Sequence, residues 1–234
     1  MQMALLATMA FTLALNPLRR HSSACSTVAM TSNFSAAYDM YKALEKPDAN
    51  RFANFQMNPN FQYLEAHSST SQAMLALGYT TNPANQPAIQ TWYDSEQQLL
   101  RLQNGFLVSL TGVANTVTTT EYTWAAPNAQ GIQLPTAKTY SQPDQQIFNK
   151  TVVLKYEAVP ANAAVSTKNS LLRQRIAQQN PSLKWYREVP TSDQAIPFAL
   201  HAFALNGTPV YGSQCLTASE CVEWLYRNNT TSKP

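Results

Sequence analysis

Charge is scarce in this chain of 234 residues: only 12% are Asp, Glu, Lys or Arg, and the formal net charge is +3. Binding along nucleic-acid phosphates requires clustered basic residues, so this balance argues against a nucleic-acid partner. Glycine occurs six times, too rarely for a glycine-rich phosphate loop. The three cysteines and three histidines lack the spacing of a zinc module or a metalloprotease helix. We therefore predict no metal and no cofactor.

Long apolar runs are also missing, since none reaches the roughly 20 residues that a membrane-spanning helix needs. Met3 to Leu15 is a largely apolar run of about 13 residues, which is typical of the hydrophobic part of a signal peptide. Small residues, Ser22 to Ala24, directly precede Cys25, as at a signal-peptidase site and, more loosely, in a bacterial lipobox. We therefore predict a signal peptide over residues 1–24 and a lipid on Cys25.

Three features depart from that signal. No Lys or Arg precedes the apolar run, Arg19 and Arg20 follow it, and Ser22 stands where a lipobox usually has Leu. Simple secretion, retention of an uncleaved anchor and a buried N-terminal helix remain as alternatives, and a misassigned start codon would explain the missing charge.

Residues 25–58 are predicted to form an N-terminal tether with a short helix. Apolar side chains recur at spacings of three and four from Phe34 to Leu44, after a possible cap at Ser32 or Asn33, and Pro47 ends the pattern.

From Phe61 onward the apolar period changes to two, in short runs rich in Val, Thr, Tyr, Trp and Leu. This pattern predicts a mainly β fold: one large antiparallel, barrel-like domain over residues 59–234, with about ten strands and one or two short helices. A sandwich is the alternative. The predicted strands are Phe61 to Ser68, Gln72 to Thr80, Ala88 to Tyr93, Gln98 to Leu102, Phe106 to Leu110, Thr116 to Trp124, Ile147 to Val159, Leu183 to Val189, Phe198 to Leu205 and Val210 to Gln214.

Turn residues support antiparallel pairing. Asn104-Gly105 and Asn206-Gly207 each separate two predicted strands, and Asn-Gly is the strongest short hairpin signal. With further reversals at Asp94-Ser95 and Asn82 to Pro87, Gln72 to Leu110 reads as a four-stranded meander. Ser170 to Ala177 is predicted to be a helix of two to three turns that ends before Asn180-Pro181.

Cys215 and Cys221 enclose a short loop that a disulfide would close if the protein is exported. Two free buried thiols of a cytosolic protein are the alternative. With Cys25 carrying a lipid, the pairing would leave no free thiol in an oxidising compartment.

Aromatic side chains in the predicted strands are candidates for stacking on sugar rings. Adjacent strand residues face opposite sides, so one ring of each dipeptide, Trp92-Tyr93 and Trp185-Tyr186, should point outward. Core packing is the competing interpretation. The full candidate set is Trp92, Tyr93, Trp124, Trp185 and Tyr186.

No order of residues indicates a nucleophile and its base, so we predict no catalytic residue and no enzyme activity. His67 and His201 lie in predicted strands and are interpreted as structural. Acids from distant strands, such as Glu65, Glu121 or Glu157, would be needed for an alternative polysaccharide-modifying hydrolase.

Several segments, in their order, resemble the YjbF/GfcB family, the bacterial exopolysaccharide and group 4 capsule lipoproteins. They are Phe61 to Leu64, Ala73 to Tyr79, Thr91 to Ser95, Leu99 to Val108 and Val210 to Cys221. The resemblance covers most of the chain from about Phe61 to Trp224, and LRLQNG and YGSQCLTASEC are its specific parts. It implies a barrel-like domain held at the outer membrane on its periplasmic face by lipid on Cys25, with a terminal cysteine pair at Cys215 and Cys221. No catalytic residue is carried over.

These observations predict a non-enzymatic lipoprotein that takes part in exopolysaccharide or capsule production and export. Its partners would be the polysaccharide and the outer-membrane secretion proteins of the same pathway, and it would act by binding glycan or by docking on such a protein. The alternatives are a soluble periplasmic location, a polysaccharide-modifying hydrolase of the periplasm and a purely structural envelope lipoprotein.

Overall fold

The computed structural model describes residues 52, 54–69, 71–114, 117–162, 171–189 and 199–227. The predicted signal peptide, Cys25 and the helix before Pro47 lie outside these residues and stay predictions. The strands are β1 Tyr63–His67, β2 Gln72–Thr81, β3 Ile89–Tyr93, β4 Leu99–Gln103, β5 Phe106–Thr111, β6 Thr118–Trp124, β7 Pro135–Gln142, β8 Ile147–Val153, β9 Tyr156–Val159, β10 Lys184–Glu188, β11 Ala199–Phe203, β12 Pro209–Cys215 and β13 Cys221–Arg227. A helix α1 covers Leu171–Gln179, and a 3₁₀ turn covers Pro143–Gln145. Among the helices of these residues, none has the length and apolar character needed to cross a membrane.

The strands form one 13-stranded sheet in the order β8-β7-β6-β5-β4-β3-β2-β1-β13-β12-β11-β10-β9. Every neighbouring pair is antiparallel, so the first and last strands of this odd-numbered sheet run in the same direction. The mainly β, antiparallel prediction is confirmed. The hydrogen-bonded ladder is not closed, because β8 and β9 stand at its two edges.

The two edge strands are nevertheless joined by only two residues, Leu154 and Lys155. The Leu154 N–H donates to the Thr136 carbonyl at 2.8 Å, beside β7, and the Val189 N–H donates to the Lys155 carbonyl at 2.8 Å, beside β10. One extended segment thus leaves the first edge of the sheet and joins the last. The sheet has to curl back on itself, which makes the domain barrel-like.

The structure divides one predicted strand and adds two strands, β7 and β13, that were not predicted. Ile147 to Val159, expected as one strand, is divided into β8 and β9 where the chain changes its pairing partner. β7 was missed because it begins with proline and contains Ala, Lys, Ser and Gln, which have low strand propensity. β13 was not predicted, because the cysteine pair at its start indicated only a closed loop.

The predicted turns and helix are confirmed. Asn104 and Gly105 have φ of 49° and 80°, as the tight turn between β4 and β5 requires. Asn206-Gly207 lies between β11 and β12, and the Ala204 N–H donates to the Thr208 carbonyl across that turn at 2.9 Å. The predicted meander corresponds to β2 through β5. The predicted Ser170 to Ala177 helix corresponds to α1.

Cys215 and Cys221 form a disulfide. They are directly paired across β12 and β13, so the bond closes the hairpin at its loop end. The loop is held further by the Leu216 N–H, which donates to the Glu220 carbonyl at 2.8 Å.

The two faces of the sheet are packed differently. The inner face carries two apolar clusters, one around Trp92 and Trp224 and the other around Phe106 and Phe203. The outer face is covered where α1 packs: Leu172 and Ile176, four residues apart, contact the cluster that contains Trp185. Alternate side chains of β10 to β13 therefore pack in two cores, one on the inner face of the sheet and one on the outer face beneath α1.

A buried ion pair spans the interior near the link between β8 and β9. The Lys138 Nζ lies 3.2 Å from a Glu188 oxygen, and both side chains are less than a tenth exposed. Lys138 is on β7 and Glu188 is on β10, the strands next to the two edges. The ion pair therefore connects the two ends of the sheet at a place where no backbone hydrogen-bonded ladder connects them.

A second charged cluster lies under α1. The Glu65 carboxylate is fully buried and binds Arg175 of the helix at 2.6 Å and Arg227 of β13 at 2.9 Å. His67 Nε2 lies 2.9 Å from its other oxygen. Burial raises the pKa of Glu65, but the hydrogen bond from His67 and the charges of Arg175 and Arg227 outweigh it and leave that pKa below its usual value.

We predict that Lys138→Met alone lowers the free energy of unfolding by about 3–5 kcal/mol, because the Glu188 charge stays buried without this cation. The double variant Lys138→Met, Glu188→Leu should recover most of that loss, since no buried charge remains. Urea unfolding followed by circular dichroism measures both variants. If the double variant were as unstable as the single one, the ion pair would stabilise the fold by more than the cost of burying its two charges.

We also predict that Glu65→Gln lowers the free energy of unfolding by about 3 kcal/mol at neutral pH. The folded pKa of Glu65 is below the ordinary value of 4.5, so its contribution is fully present above that pH and is lost as the pH falls through the folded pKa. The difference between wild type and variant should therefore narrow in acid. Urea unfolding over a pH series checks this, and a difference that stays constant would contradict it.

Candidate glycan-binding surface

The first predicted dipeptide alternates as expected, but its exposed ring is the tyrosine. Trp92 is 1% exposed and packs edge-to-face on Tyr226 in the inner core, with ring centroids 5.6 Å apart. Tyr93 is 44% exposed on the outer face. Trp92 therefore presents no ring face to a ligand, whereas Tyr93 does.

In the second dipeptide the outward ring is covered. Trp185 does point to the outer face, but it is only 2% exposed because α1 and Tyr211 pack around it. Tyr186 is half-buried and packs edge-on against Phe203. Trp124 is also half-buried, against Phe106 and Tyr122. Core packing thus accounts for most of the predicted stacking residues.

Tyr93 owes its position to a glycine on the neighbouring strand. Gly78 lies at a register shift between β2 and β3, and a β-carbon there would overlap the Tyr93 ring. The ring therefore lies against the backbone of β2 at Gly78. Because Tyr93 is 44% exposed, part of its ring remains accessible, which suits stacking on a sugar.

A second exposed tyrosine stands beside it. Tyr79 follows Gly78, is 53% exposed and pairs with Thr91 of β3, which in turn pairs with Arg101 of β4. Tyr79, Thr91 and Arg101 form one row on the same outer face as Tyr93. We call Tyr79, Tyr93 and Arg101 the tyrosine platform. Sequence reasoning missed Tyr79 because the bulge at Gly78, which turns it to this face, is not visible in the period-two pattern.

The platform offers aromatic rings together with hydrogen-bond donors. The Tyr79 and Tyr93 hydroxyl groups and the half-buried Arg101 guanidinium can donate to sugar hydroxyls, while the rings can cover the apolar C–H face of a sugar. Within the described residues, the Arg101 Nε atom is buried without a hydrogen-bond partner.

The interior histidine is held uncharged. His201 stacks on Phe106 with ring centroids 3.9 Å apart and is 1% exposed. Burial lowers the pKa of His201 to about 3; the Lys138 charge lowers it as well, and the Gly105 backbone opposes the shift. Neutral and enclosed by rings, His201 belongs to the inner core, and His67 is bound to Glu65. The interpretation of both histidines as structural stays a prediction.

Tyrosines around the interior ion pair are likewise kept neutral. Burial and the nearby Glu188 charge raise the pKa of Tyr122 and that of Tyr156. The Tyr122 hydroxyl donates to the Leu107 carbonyl at 2.9 Å. Both rings pack on Phe106, which connects β6 and β9 to the inner core.

The acids of the hydrolase alternative are not brought together. Glu65 is enclosed by cations beneath α1, Glu121 is exposed on β6, and Glu157 on β9 pairs with Arg187, whose Nε lies 2.8 Å away. Glu65 and Glu157 are thus each bound to arginine. Among the residues that the structure describes, no three His, Cys, Asp or Glu side chains gather into a potential metal site.

Comparison with known proteins finds a likeness in structure and none in sequence. No family model matches the chain, and no curated protein matches it. The fold is similar to that of the hypothetical lipoprotein YmcC from Escherichia coli (K12), at 13% sequence identity and a TM-score of 0.45. The alignment covers 87% of this chain and 97% of that one. A likeness this distant does not show the family, and the YjbF/GfcB resemblance stays a prediction.

We predict that Gly78→Ala displaces the Tyr93 ring from the sheet surface, because the added methyl group occupies its place. The domain should still fold, since the change is at the outer face. Nuclear magnetic resonance of the Tyr93 ring protons would detect the displacement through loss of their contacts to β2. Unchanged contacts in the variant would contradict the packing described here.

Proposed function

We propose that this protein is a non-enzymatic envelope lipoprotein that takes part in exopolysaccharide or capsule production and export by binding glycan at the tyrosine platform. The observation that carries the proposal is the Tyr93 ring, laid against Gly78 and exposed beside Tyr79. Two adjacent exposed rings on a rigid sheet suit a repeating, neutral and hydroxyl-rich partner. The low charge of the chain fits the same kind of recognition.

The location is part of the proposal. A disulfide persists in oxidising compartments, so the Cys215–Cys221 bond supports export from the cytoplasm. Lipid on Cys25 would then hold the domain at the outer membrane on its periplasmic face, and the alternative is a soluble periplasmic form. One acyl group binds membranes only weakly, whereas several on one cysteine would anchor it stably.

The proposed function leaves no role for hydrolysis. A glycosidase of the usual kind needs two carboxyl groups across a cleft, roughly 5–10 Å apart. The acids suggested by the sequence are each occupied or isolated, as described above, and the tyrosine platform contains no carboxylate. Incubation of the polymer with the purified domain should therefore leave its chain length unchanged.

We predict that Tyr93→Ala weakens binding of the exported polysaccharide by about tenfold, equivalent to about 1.4 kcal/mol. Stacking and neutral hydrogen bonds are little screened, so the ratio of wild-type to variant affinity should be the same at low and high salt. Isothermal titration with the organism's own polymer measures both. Phe148→Ala is the matched control, because Phe148 is 65% exposed on β8, outside the platform.

An equal loss in both variants would show that general surface aromaticity, not the platform, is responsible. Absence of polymer binding together with co-purification of an outer-membrane protein would replace glycan binding with docking on a secretion partner. Gene deletion that leaves secreted polysaccharide unaltered would favour a purely structural envelope lipoprotein.

A further inference from the structure

The two ends of the curled sheet differ in charge. Because neighbouring strands are antiparallel, the connections after β2, β4, β6, β9 and β11 lie at one end, and those after β1, β3, β5, β7, β10 and β12 lie at the other. The described residues of the second set contain four acids and neither lysine nor arginine: Asp94, Glu96, Asp144 and Glu220. We call that end of the sheet the acidic end.

The opposite end is almost free of charge in the residues that the structure describes. Four of its five connections contain no charged residue, namely 82–88, 104–105, 125–134 and 204–208. The fifth contains α1, whose Arg173 and Arg175 pair with Glu223 and Glu65. Lys184, the first residue of β10, adds an exposed cation there. We call this the neutral end. An anionic surface would repel the acidic end and accept the neutral one.

The connections of the neutral end pack against one another. The Asn104 side-chain N–H donates to the Gln133 carbonyl at 2.9 Å, which joins the turn after β4 to the loop after β6. A β-carbon on Gly207 would lie 2.7 Å from the Gly131 carbonyl oxygen, so the same loop also packs against the turn after β11. Three connections therefore form one continuous surface.

Two large apolar side chains project at this end. Leu205 is 58% exposed at the tip of the turn after β11, where the Gly207 N–H donates to the Ala204 carbonyl at 3.0 Å. Phe61 is 43% exposed, two residues before β1 begins. Only β13 separates β1 from β12, so the two side chains stand on neighbouring parts of the rim. Exposed apolar side chains on an uncharged rim suit the boundary between headgroups and acyl chains of a bilayer.

The segment that leads into the sheet lies at the same end. The Phe55 and Phe61 rings pack on Tyr63, the first residue of β1, with ring centroids 5.6 Å and 6.4 Å away. Cys25, the predicted site of the lipid, is connected to the sheet through this segment. An anchored lipid would therefore raise the local concentration of the neutral end at the membrane, where weak insertion of two side chains is enough to orient the domain.

We infer that the neutral end docks on the surface of a phospholipid bilayer, with Leu205 and Phe61 inserted at headgroup depth and the acidic end directed away. The inference rests on the envelope location in the proposed function and goes beyond its glycan contact. Tyr93 is the last residue of β3, next to the acidic end, so docking leaves that ring of the tyrosine platform open to polymer.

The test compares Leu205→Trp with Val117→Trp in the protein as isolated from cells, reconstituted with vesicles of phosphatidylethanolamine and phosphatidylglycerol that carry brominated acyl chains. Val117 is the matched position, because it is 47% exposed in the connection before β6, at the acidic end. Bromine quenches tryptophan within the bilayer, and the four native tryptophans give both variants the same background. After subtraction of the wild-type signal, Leu205→Trp should be quenched about threefold more than Val117→Trp.

A third probe separates insertion from mere proximity. Ala129→Trp, exposed on the loop after β6, should also be quenched, and adding Leu205→Asn and Phe61→Asn should reduce that quenching by about half or more. Adding Val117→Asn instead should leave it unchanged. Thermal unfolding followed by circular dichroism verifies that these exposed substitutions leave the fold intact.

Equal quenching at positions 205 and 117, none at either, or stronger quenching at 117 would overturn the inference. Quenching at 205 that requires added outer-membrane proteins would also overturn it, in favour of a protein partner. Tyr93→Ala separates the two proposals, because it should weaken polymer binding and leave the quenching unchanged. Mass spectrometry of the mature N-terminus reports on the lipid at Cys25 independently, so loss of the anchor and loss of docking are distinguishable.

Discussion

The two-residue link between β8 and β9 is the constraint on which the rest of the domain depends. Because Leu154 bonds beside β7 and Lys155 bonds beside β10, the first and last strands of a 13-stranded sheet are fixed at one point. A flat sheet of that width would place its edges tens of ångströms apart, at about 4.8 Å per strand. Curling is therefore obligatory, and it creates an inner face on which Lys138 of β7 can reach Glu188 of β10.

The curvature of the sheet determines which charged side chains can form ion pairs. A buried ion pair gains little net stability over an apolar substitute, since removing both charges from water costs about as much as their attraction returns. Its role here is to position strands, because Lys138 and Glu188 connect β7 to β10, between which no backbone ladder exists. Glu65 does the same on the outside, where it holds Arg175 of α1 and Arg227 of β13 to one carboxylate. Two buried charged clusters thus each connect separate elements of the fold.

Local chemistry made much of this fold predictable. Asn104-Gly105 and Asn206-Gly207 marked hairpins because positive φ is needed there, and alternation correctly placed Trp92 and Tyr93 on opposite faces. Nothing local distinguishes β8 from β9, since their separation comes from distant pairing partners at Thr136 and Val189. Alternation also cannot tell an exposed face from one covered by a helix, so it could not show that the outward ring of Trp185-Tyr186 lies beneath α1. The alternation of Val222 and Trp224 with Glu223 is typical of a strand, so β13 could have been predicted from the sequence. It was not predicted because the two cysteines indicated only a closed loop.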